Sequence, residues 1–156
     1  MLTWTHLPAV ETWLRHAKGN ETVKEPPPDA TEVLLVDDEP QVIWMLQFSL
    51  QAEGYRTLSA RNGLAALQVL REHRPELMLL DIMMPVMDGW SVLEALQELD
   101  ADERPRVIVV SARASSRDRQ KAKELGADAF VAKPFNVDEL LRVLKELEPG
   151  TLSAQA

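Results

Sequence analysis

The sequence predicts an α/β fold in which five parallel strands form one doubly wound sheet. From Thr31 onward a strand, a loop and a helix alternate five times, which is the pattern of consecutive βα units. The central strand segments are apolar throughout, as expected for strands that are buried on both faces. Right-handed crossovers place helices on both faces, and a barrel would need eight such units. We therefore expect an open sheet.

The predicted elements follow from apolar periodicity and from the residues that end helices. Gly54 and Gly126 follow two helical stretches, and Pro75 and Pro149 follow two others, all positions where helices commonly stop. The predicted strands are 32–36, 56–59, 77–80, 107–110 and 129–132, and the predicted helices are 40–53, 62–73, 89–99, 116–125 and 137–148.

Residues 1–30 differ in character from the rest of the chain and predict an N-terminal extension. Three consecutive prolines at 26–28 favour an extended, semi-rigid spacer. We expect the main domain to span 31–150, followed by a tail at 151–156. A short amphipathic helix is predicted before the spacer, because apolar residues recur there at helical spacing: Leu7, Val10, Trp13, Leu14 and Ala17.

Composition excludes several classes of function. The 156 residues are 46% hydrophobic and 27% charged, which suits one domain with a substantial core. A formal net charge of -8 argues against direct DNA binding, which needs a basic surface. The chain has no cysteine, no apolar run that would span a membrane and no apolar signal-peptide core. These features predict a cytoplasmic protein that does not associate with membranes.

Polar side chains follow four of the predicted strands. Asp37 and Asp38 come after the first strand, Asp81 after the third, Ser111 after the fourth and Lys133 after the fifth. Open α/β sheets bind their ligands outside the carboxyl ends of the strands. The sequence therefore predicts a site at this edge of the sheet.

Three neighbouring carboxylates at this edge require compensation. At ~4 Å and an effective dielectric of ~20, each like-charge pair repels by roughly 4 kcal/mol, so a proton or a cation must be present. A divalent cation suits neutral pH, and an all-oxygen ligand set that leaves positions open favours Mg²⁺. Taken alone, Asp37 or Asp38 is equally well explained as a cap for the helix that begins at Pro40.

The same groups suit phosphoryl transfer. A carboxylate can attack phosphorus to give an acyl phosphate, while a cation, an ammonium and a hydroxyl offset charge on the transferred oxygens. Asp81, Lys133 and Ser111 fit these roles.

Four segments in this order and spacing resemble the receiver domain of two-component response regulators. They are Val36-Asp37-Asp38-Glu39-Pro40, the run from Leu80 to Gly89, Val110-Ser111-Ala112 and Ala132-Lys133-Pro134-Phe135. The resemblance covers 31 to about 148. It implies a (βα)5 flavodoxin-like fold with strand order 2-1-3-4-5.

The resemblance also implies a role for each residue of the site. Asp81 would accept a phosphoryl group from a histidine kinase or phosphotransfer protein, Lys133 would contact that group, and Ser111 would move toward it. Mg²⁺ would be bound by Asp38, Asp81 and the backbone carbonyl of Met83, with Asp37 acting through water. Phe130 occupies the position of the family's switch aromatic and would then turn inward. The protein would be a regulator rather than an enzyme, with only its own phosphorylation and dephosphorylation as chemistry.

The resemblance places Met83 and Arg113 at positions where this family tunes hydrolysis of the phosphoryl group. An apolar Met83 cannot orient water, and a long Arg113 side chain would shield phosphorus. We therefore expect a long-lived phosphorylated state.

Two further surfaces are candidate partner sites. On the first helix we assign Val42, Met45, Leu46 and Leu50 to the buried stripe, which leaves Ile43 and Trp44 facing water, where the kinase or the chain's own Trp4 and Trp13 segment would dock. A basic run beside Phe130 would bind an acidic target or a second copy through α4-β5-α5, if it is more than a solvated face. The basic residues are Arg113, Arg117, Arg119, Lys121 and Lys123.

The segment after Glu148 is too short for an effector, so we expect output through another protein. Two other functions remain open. A phosphorylation-independent scaffold would not need the acidic cluster. A phosphohydrolase of the haloacid-dehalogenase type expects a second aspartate two residues after the first, whereas Glu39 stands two residues after Asp37.

Overall fold

Five short apolar segments form the strands of one parallel sheet in the order β2-β1-β3-β4-β5. A computed structural model describes residues 25–150, and the predicted N-terminal helix and C-terminal tail lie outside those residues. The predicted fold and strand order are confirmed. The strands are β1 (Glu32–Val36), β2 (Arg56–Ala60), β3 (Leu77–Leu80), β4 (Arg106–Ser111) and β5 (Ala129–Ala132).

A helix follows each strand, and the observed bounds lie within two residues of the predicted ones. Most differences are at the carboxyl ends, where the last turn gives way to the connecting loop. Asn62, predicted as helical, instead caps the second helix by accepting a hydrogen bond from the N–H of Ala65 at 2.8 Å. The helices are α1 (Pro40–Ala52), α2 (Gly63–Glu72), α3 (Gly89–Gln97), α4 (Ser116–Glu124) and α5 (Val137–Leu147).

The sheet separates two apolar clusters, because alternate side chains of the central strands point to opposite faces. On one face Leu34, Met78 and Val109 pack with residues of α2, α3 and α4. On the other face Val33 and Leu79 pack with residues of α1 and α5. Helices on both faces leave the carboxyl edge of the sheet as the place where loops from several strands meet.

The buried stripe of α1 differs from the predicted one. Ile43 is only 7% exposed and packs in the core with Leu46 and Leu50, so its assignment to a partner surface was wrong. Val42 is only partly buried. Ile43, Leu46 and Leu50 recur at i, i+3 and i+7, which is as good a helical stripe as the predicted one. When a helix is apolar on most sides, its sequence does not indicate which side is buried. Packing against the sheet decides which side of α1 faces the core.

Candidate functional site

The register of the sheet brings the acidic residues together. Val36 pairs with Leu80, so the residues that follow them, Asp37 and Asp81, leave neighbouring strands at the same level. The N–H of Asp81 donates to the carbonyl oxygen of Val36 at 2.9 Å, which fixes this level. One carboxylate oxygen from each of Asp37, Asp38 and Asp81 lies within 4.8 Å of the other two. The predicted acidic cluster is therefore present.

Lys133 reaches this cluster from β5. The backbone N–H of Lys133 donates to the carbonyl oxygen of Ser111 at 2.9 Å, which extends the pairing between β4 and β5. Its amine lies 2.6 Å from Asp37 Oδ2 and 3.4 Å from Asp81 Oδ2. It also lies 3.8 Å from Glu39 Oε1. The sequence did not indicate that Asp37 would be the closest partner of this amine, nor that Glu39 would lie nearby.

Each carboxylate oxygen of Asp37 has a partner, and neither bond caps α1, whose N-cap residue is Glu39. The Oδ1 atom of Asp37 accepts a hydrogen bond from the N–H of Glu39 at 2.9 Å, just before the first turn of α1. Its Oδ2 atom accepts the short bond from Lys133. A carboxylate with both oxygens engaged in this way is well compensated although it is only 4% exposed.

Asp81 is less well compensated than Asp37. Its two hydrogen bonds are long: Oδ1 accepts from the N–H of Met83 at 3.3 Å, and Oδ2 accepts from Lys133 at 3.4 Å. Charge-assisted bonds of normal strength are about 2.7 to 2.9 Å long. Burial raises the pKa of Asp81, and although the positive charge of Lys133 opposes this, the negative charge of Asp37 adds to it. The charged form of Asp81 is therefore electrostatically costly.

The pKa of Lys133 is set by a different balance. Burial by itself would lower it, but the hydrogen bond to Asp37 and the charges of Asp81 and Asp37 outweigh burial, so the pKa is raised. The amine consequently stays positively charged at neutral pH. One fixed positive charge faces three carboxylates, which leaves the cluster with net negative charge.

The loop after Asp81 depends on a close approach that only glycine permits. A Cβ atom on Gly89 would clash with the backbone carbonyl of Asp81 and would lie 2.8 Å from the Cα atom of Ile82. The N–H of Gly89 donates to the carbonyl of Ile82 at 2.9 Å, and Asp88 caps α3 by accepting from the N–H of Ser91 at 2.9 Å. The Asp88-Gly89 pair therefore holds the start of α3 against the site.

Ser111 and Phe130 lie on the neighbouring strands. Ser111 is fully buried, and its hydroxyl oxygen accepts a hydrogen bond from the N–H of Arg113 at 3.1 Å. Phe130 is partly buried, and the guanidinium carbon of Arg119 lies 4.8 Å from the centroid of its ring. A Ser111 hydroxyl that moved toward Asp81 would have to release the N–H of Arg113.

The positions proposed to tune hydrolysis differ in their surroundings. The side chain of Met83 is exposed beside Asp81. Arg113 instead turns toward α4, where its Nε atom lies 2.8 Å from Asp118 Oδ1. Shielding of phosphorus by Arg113 therefore requires this ion pair to open.

Asp118 is a buried acid within the basic run, and it was not among the predicted site residues. Its carboxylate accepts bonds from the hydroxyl and the N–H of Ser115, and Ser115 in turn accepts from the N–H of Asp118 at 3.1 Å, which forms a capping box. The hydrogen bond from Ser115 lowers the pKa of Asp118 against the effect of burial, and Arg113 lowers it further. The signal was available in the sequence as Ser115 followed three residues later by an acid.

The basic run on α4 is only partly a solvated face. Arg113 pairs with Asp118, Arg119 lies over Phe130, and the amine of Lys121 lies 4.4 Å from the centroid of the Trp90 ring. Arg117 is exposed.

Trp44 on α1 is 45% exposed, as predicted, and its ring stacks on Phe48 with centroids 6.2 Å apart.

Comparison with known proteins agrees with the fold. The family model of the response regulator receiver domain matches residues 33–145. Sporulation initiation phosphotransferase F of Bacillus subtilis is 39% identical over 118 residues, covering 76% of this chain and 94% of that protein. The transcriptional regulatory protein KdpE of Mycobacterium tuberculosis is 42% identical over 116 residues, covering 74% of this chain. The chain spans only 50% of the length of KdpE.

Solved structures support the same assignment. The crystal structure of a CheY-like response regulator receiver domain from Methanospirillum hungatei superposes with a TM-score of 0.71 at 30% identity, covering 76% of this chain and 93% of the other. Among residues 25–150, no helix is long and apolar enough to cross a membrane. The strand order, the acidic cluster beside a lysine and the match over most of the sequence all agree, and the chain belongs to the response regulator receiver domain family.

Proposed function

We propose that the chain is a phosphorylation-dependent signalling switch in which Asp81 is the phosphoacceptor. Receiver domains of this family accept phosphoryl groups from histidine kinases or phosphotransfer proteins, bind Mg²⁺ at an acidic cluster and are generally not enzymes. The observation that carries the assignment to Asp81 is its weak compensation. Asp81 is buried, its pKa is raised, and both of its hydrogen bonds are long.

The chemistry assigned to Asp81 is the transfer of a phosphoryl group from a donor to its carboxylate. One carboxylate oxygen of Asp81 attacks the phosphorus of the donor and forms a new P–O bond. The bond between phosphorus and the donor atom breaks, and its electron pair leaves with the donor. The amine of Lys133, 3.4 Å from Asp81 Oδ2, is placed to pair with the transferred phosphoryl oxygens.

The donor set of the cluster fits a small, hard divalent cation. The side-chain donors of Asp37, Asp38 and Asp81 are all carboxylate oxygens, and one amine does not balance their charge. Asp38, Asp81 and the carbonyl of Met83 would hold Mg²⁺, with Asp37 contributing through water. When bound, the ion supplies positive charge that favours the ionised form of Asp81 and offsets charge on the incoming phosphoryl group.

Ser111 and Phe130 would couple the site to a partner surface. A hydrogen bond to a charged group contributes about 1.5 to 3 kcal/mol, whereas shifting a population from 1:99 to 99:1 needs about 5.5 kcal/mol. Neither Ser111 nor Lys133 alone is therefore sufficient, and both would act together. The α4-β5-α5 face, where Arg119 lies over Phe130, is the surface that would bind a target protein or a second copy. Arg117 and Lys121 are exposed on α4 and would contribute to it.

The decisive test uses a small phosphodonor. Purified chain is incubated with acetyl phosphate and Mg²⁺, and the mass of the intact protein is measured before and after mild base. We expect one base-labile phosphoryl group on the wild-type chain, none on Asp81→Asn and none when EDTA removes the metal. An adduct of equal yield on Asp81→Asn, or continuous turnover of a free phosphate ester, would contradict the proposal.

The lifetime of the phosphorylated state forms a second, separable part of the proposal. Met83 is 59% exposed beside Asp81 and offers no group that can orient water. We expect Met83→Asn to shorten the half-life of the phosphorylated chain several-fold, because an amide can position the attacking water. Met83→Leu is the matched control and should leave the half-life unchanged. An unchanged rate in Met83→Asn would remove Met83 from this role.

A further inference from the structure

Arg113 connects the end of β4 to the start of α4. Its backbone N–H donates to the hydroxyl oxygen of Ser111 at 3.1 Å, and its Nε atom donates to Asp118 Oδ1 at 2.8 Å. Ser111 is the last residue of β4, and Asp118 is the third residue of α4. One residue therefore joins a fully buried hydroxyl to the first turn of a helix.

The two carboxylate oxygens of Asp118 have different partners. Oδ2 accepts from the hydroxyl and the N–H of Ser115, the N-cap residue of α4, whereas Oδ1 accepts from Arg113. The capping box fixes Asp118 on the helix, so its carboxylate cannot follow Arg113 if the loop between β4 and α4 moves. The Asp118 side chain is only 9% exposed, and an Oδ1 atom left without a partner there would be costly.

The position of Ser111 in the sheet brings this connection to the phosphoacceptor. Leu80 pairs with Val109, so Ser111 stands one residue beyond the level of Asp81 on the neighbouring strand. A Ser111 hydroxyl that turned toward a phosphoryl group on Asp81 would leave the N–H of Arg113 without its acceptor. The Arg113 backbone would then have to shift while its side chain is still held by α4. The ion pair between Arg113 and Asp118 therefore opposes this movement.

We propose that the Arg113–Asp118 ion pair is a restraint that holds Ser111 in its resting position and so disfavours the arrangement that binds a phosphoryl group at Asp81. Asp118 is a positioning residue that acts through Arg113 and touches no reacting atom. This role rests on the proposed function of Asp81 as the phosphoacceptor. It gives the Arg113 side chain a part in the resting chain, before any phosphoryl group is present.

The test measures how tightly the full chain binds beryllofluoride, a mimic of the acyl phosphate, in the presence of Mg²⁺. Fluorine NMR reports the bound fraction directly during a titration. We expect Asp118→Asn to bind roughly threefold more tightly than the wild-type chain, because a partly exposed ion pair contributes only a modest free energy. The asparagine retains an oxygen that accepts from Ser115 but turns an amide NH₂ toward Arg113, so the cap stays and the ion pair is lost.

Variants of Arg113 show whether Asp118 acts through it. The Arg113 side chain is 55% exposed, so its replacement should leave the fold intact. In an Arg113→Met chain, Asp118→Asn should leave the affinity unchanged, because no ion pair remains to be removed. Arg113→Lys should stay close to the wild-type affinity, because its ammonium can still pair with Asp118. Equal tightening with and without Arg113, or no tightening in Asp118→Asn, would overturn the proposed restraint.

Asp81→Asn separates failure of the restraint from failure of the proposed function. Absence of binding to the wild-type chain, or binding of equal strength to Asp81→Asn, would contradict the role of Asp81 and the restraint together. Binding that requires Asp81 but does not respond to Asp118→Asn would contradict the restraint alone. Lys123→Met, an exposed change on the same helix, is the control and should leave the affinity unchanged.

Discussion

Two aspartates of this domain have the same exposure but opposite electrostatics. Asp81 and Asp118 are each 6% exposed. The hydrogen-bond partners of the Asp118 carboxylate, Arg113 and Ser115, lie within five residues of it in the sequence, and the hydrogen bond from Ser115 lowers its pKa. Asp81 has only long bonds, one of them from Lys133 on a distant strand, and burial raises its pKa. Asp118 stabilises the start of α4, whereas the charge of Asp81 is only weakly compensated.

The difference shows how a structural carboxylate can be distinguished from a functional one. A buried charge whose partners are local and short is part of a cap and needs no ligand. A buried charge that depends on a distant, shared amine is a candidate site for a cation or a phosphoryl group.

Removal of the Lys133 amine should have the largest effect on stability. Its side chain is 13% exposed, and it pairs with two carboxylates that are almost inaccessible. We expect Lys133→Met to lose about 3 kcal/mol of unfolding free energy in EDTA at neutral pH, because it leaves buried charges unpaired. Urea unfolding measures the change, and saturating Mg²⁺ should recover part of it.

Lys123→Met on α4 is the matched control for this prediction. Lys123 is exposed, so its loss should change the unfolding free energy by less than about 0.5 kcal/mol. Equal losses in the two lysine variants would show that the acidic cluster does not depend on its amine.

Asp81→Asn should stabilise the metal-free domain at neutral pH. Because the pKa of Asp81 in the folded chain is raised above its ordinary 3.8, the stability that Asp81 contributes is fully present below that value. It is lost as the pH rises through the folded-state pKa. We expect a gain on the order of 1 kcal/mol at pH 7 that shrinks as the pH falls toward 4, measured by urea unfolding in EDTA.

Mg²⁺ should stabilise the wild-type chain more than Asp81→Asn, because the variant has lost one of the carboxylates that would bind the metal. The advantage of the variant should therefore diminish as Mg²⁺ is added. A gain that grows toward low pH would have the wrong sign, and it would mean that the charged form of Asp81 is favoured in the fold.

Ser115→Ala should have a smaller effect that is independent of metal. It removes the N-cap of α4 and the hydroxyl that bonds to Asp118, which costs about 1 kcal/mol. Ser116→Ala, at the next position, is the control and should be nearly neutral. Urea unfolding with and without Mg²⁺ should give the same difference between the two variants. A difference that changes with Mg²⁺ would link the α4 cap to the acidic cluster.

Most of the fold could be predicted from the sequence, because alternation of apolar strands with capped helices leaves few topologies. The position of the site at the carboxyl edge of the sheet was equally predictable, since Asp37, Asp81 and Lys133 each follow the end of a strand. The details that depend on packing were not. Ile43 is buried because α1 packs on the sheet through one of two apolar stripes that the sequence allows equally. The Lys133 amine is closest to Asp37 because of distances in the folded chain, which a sequence pattern does not contain.

The charge pattern of α4 was the weakest guide. Asp118 appeared as one acid among many bases, yet it is the buried centre of the cap and the partner of Arg113. Arg119 and Lys121 lie over aromatic rings that come from β5 and α3. Contacts between elements of this kind appear only when the fold is assembled.

Phosphorylation should form a covalent bond between phosphorus and the carboxylate of Asp81. Borohydride reduces an aspartyl phosphate to homoserine, so treatment of the phosphorylated chain followed by peptide sequencing by mass spectrometry locates the bond directly. We predict homoserine at position 81 and unchanged aspartate at positions 37, 38 and 118. Homoserine at any of those three positions, or phosphate that survives on a serine or histidine, would contradict the assignment of the phosphoacceptor to Asp81.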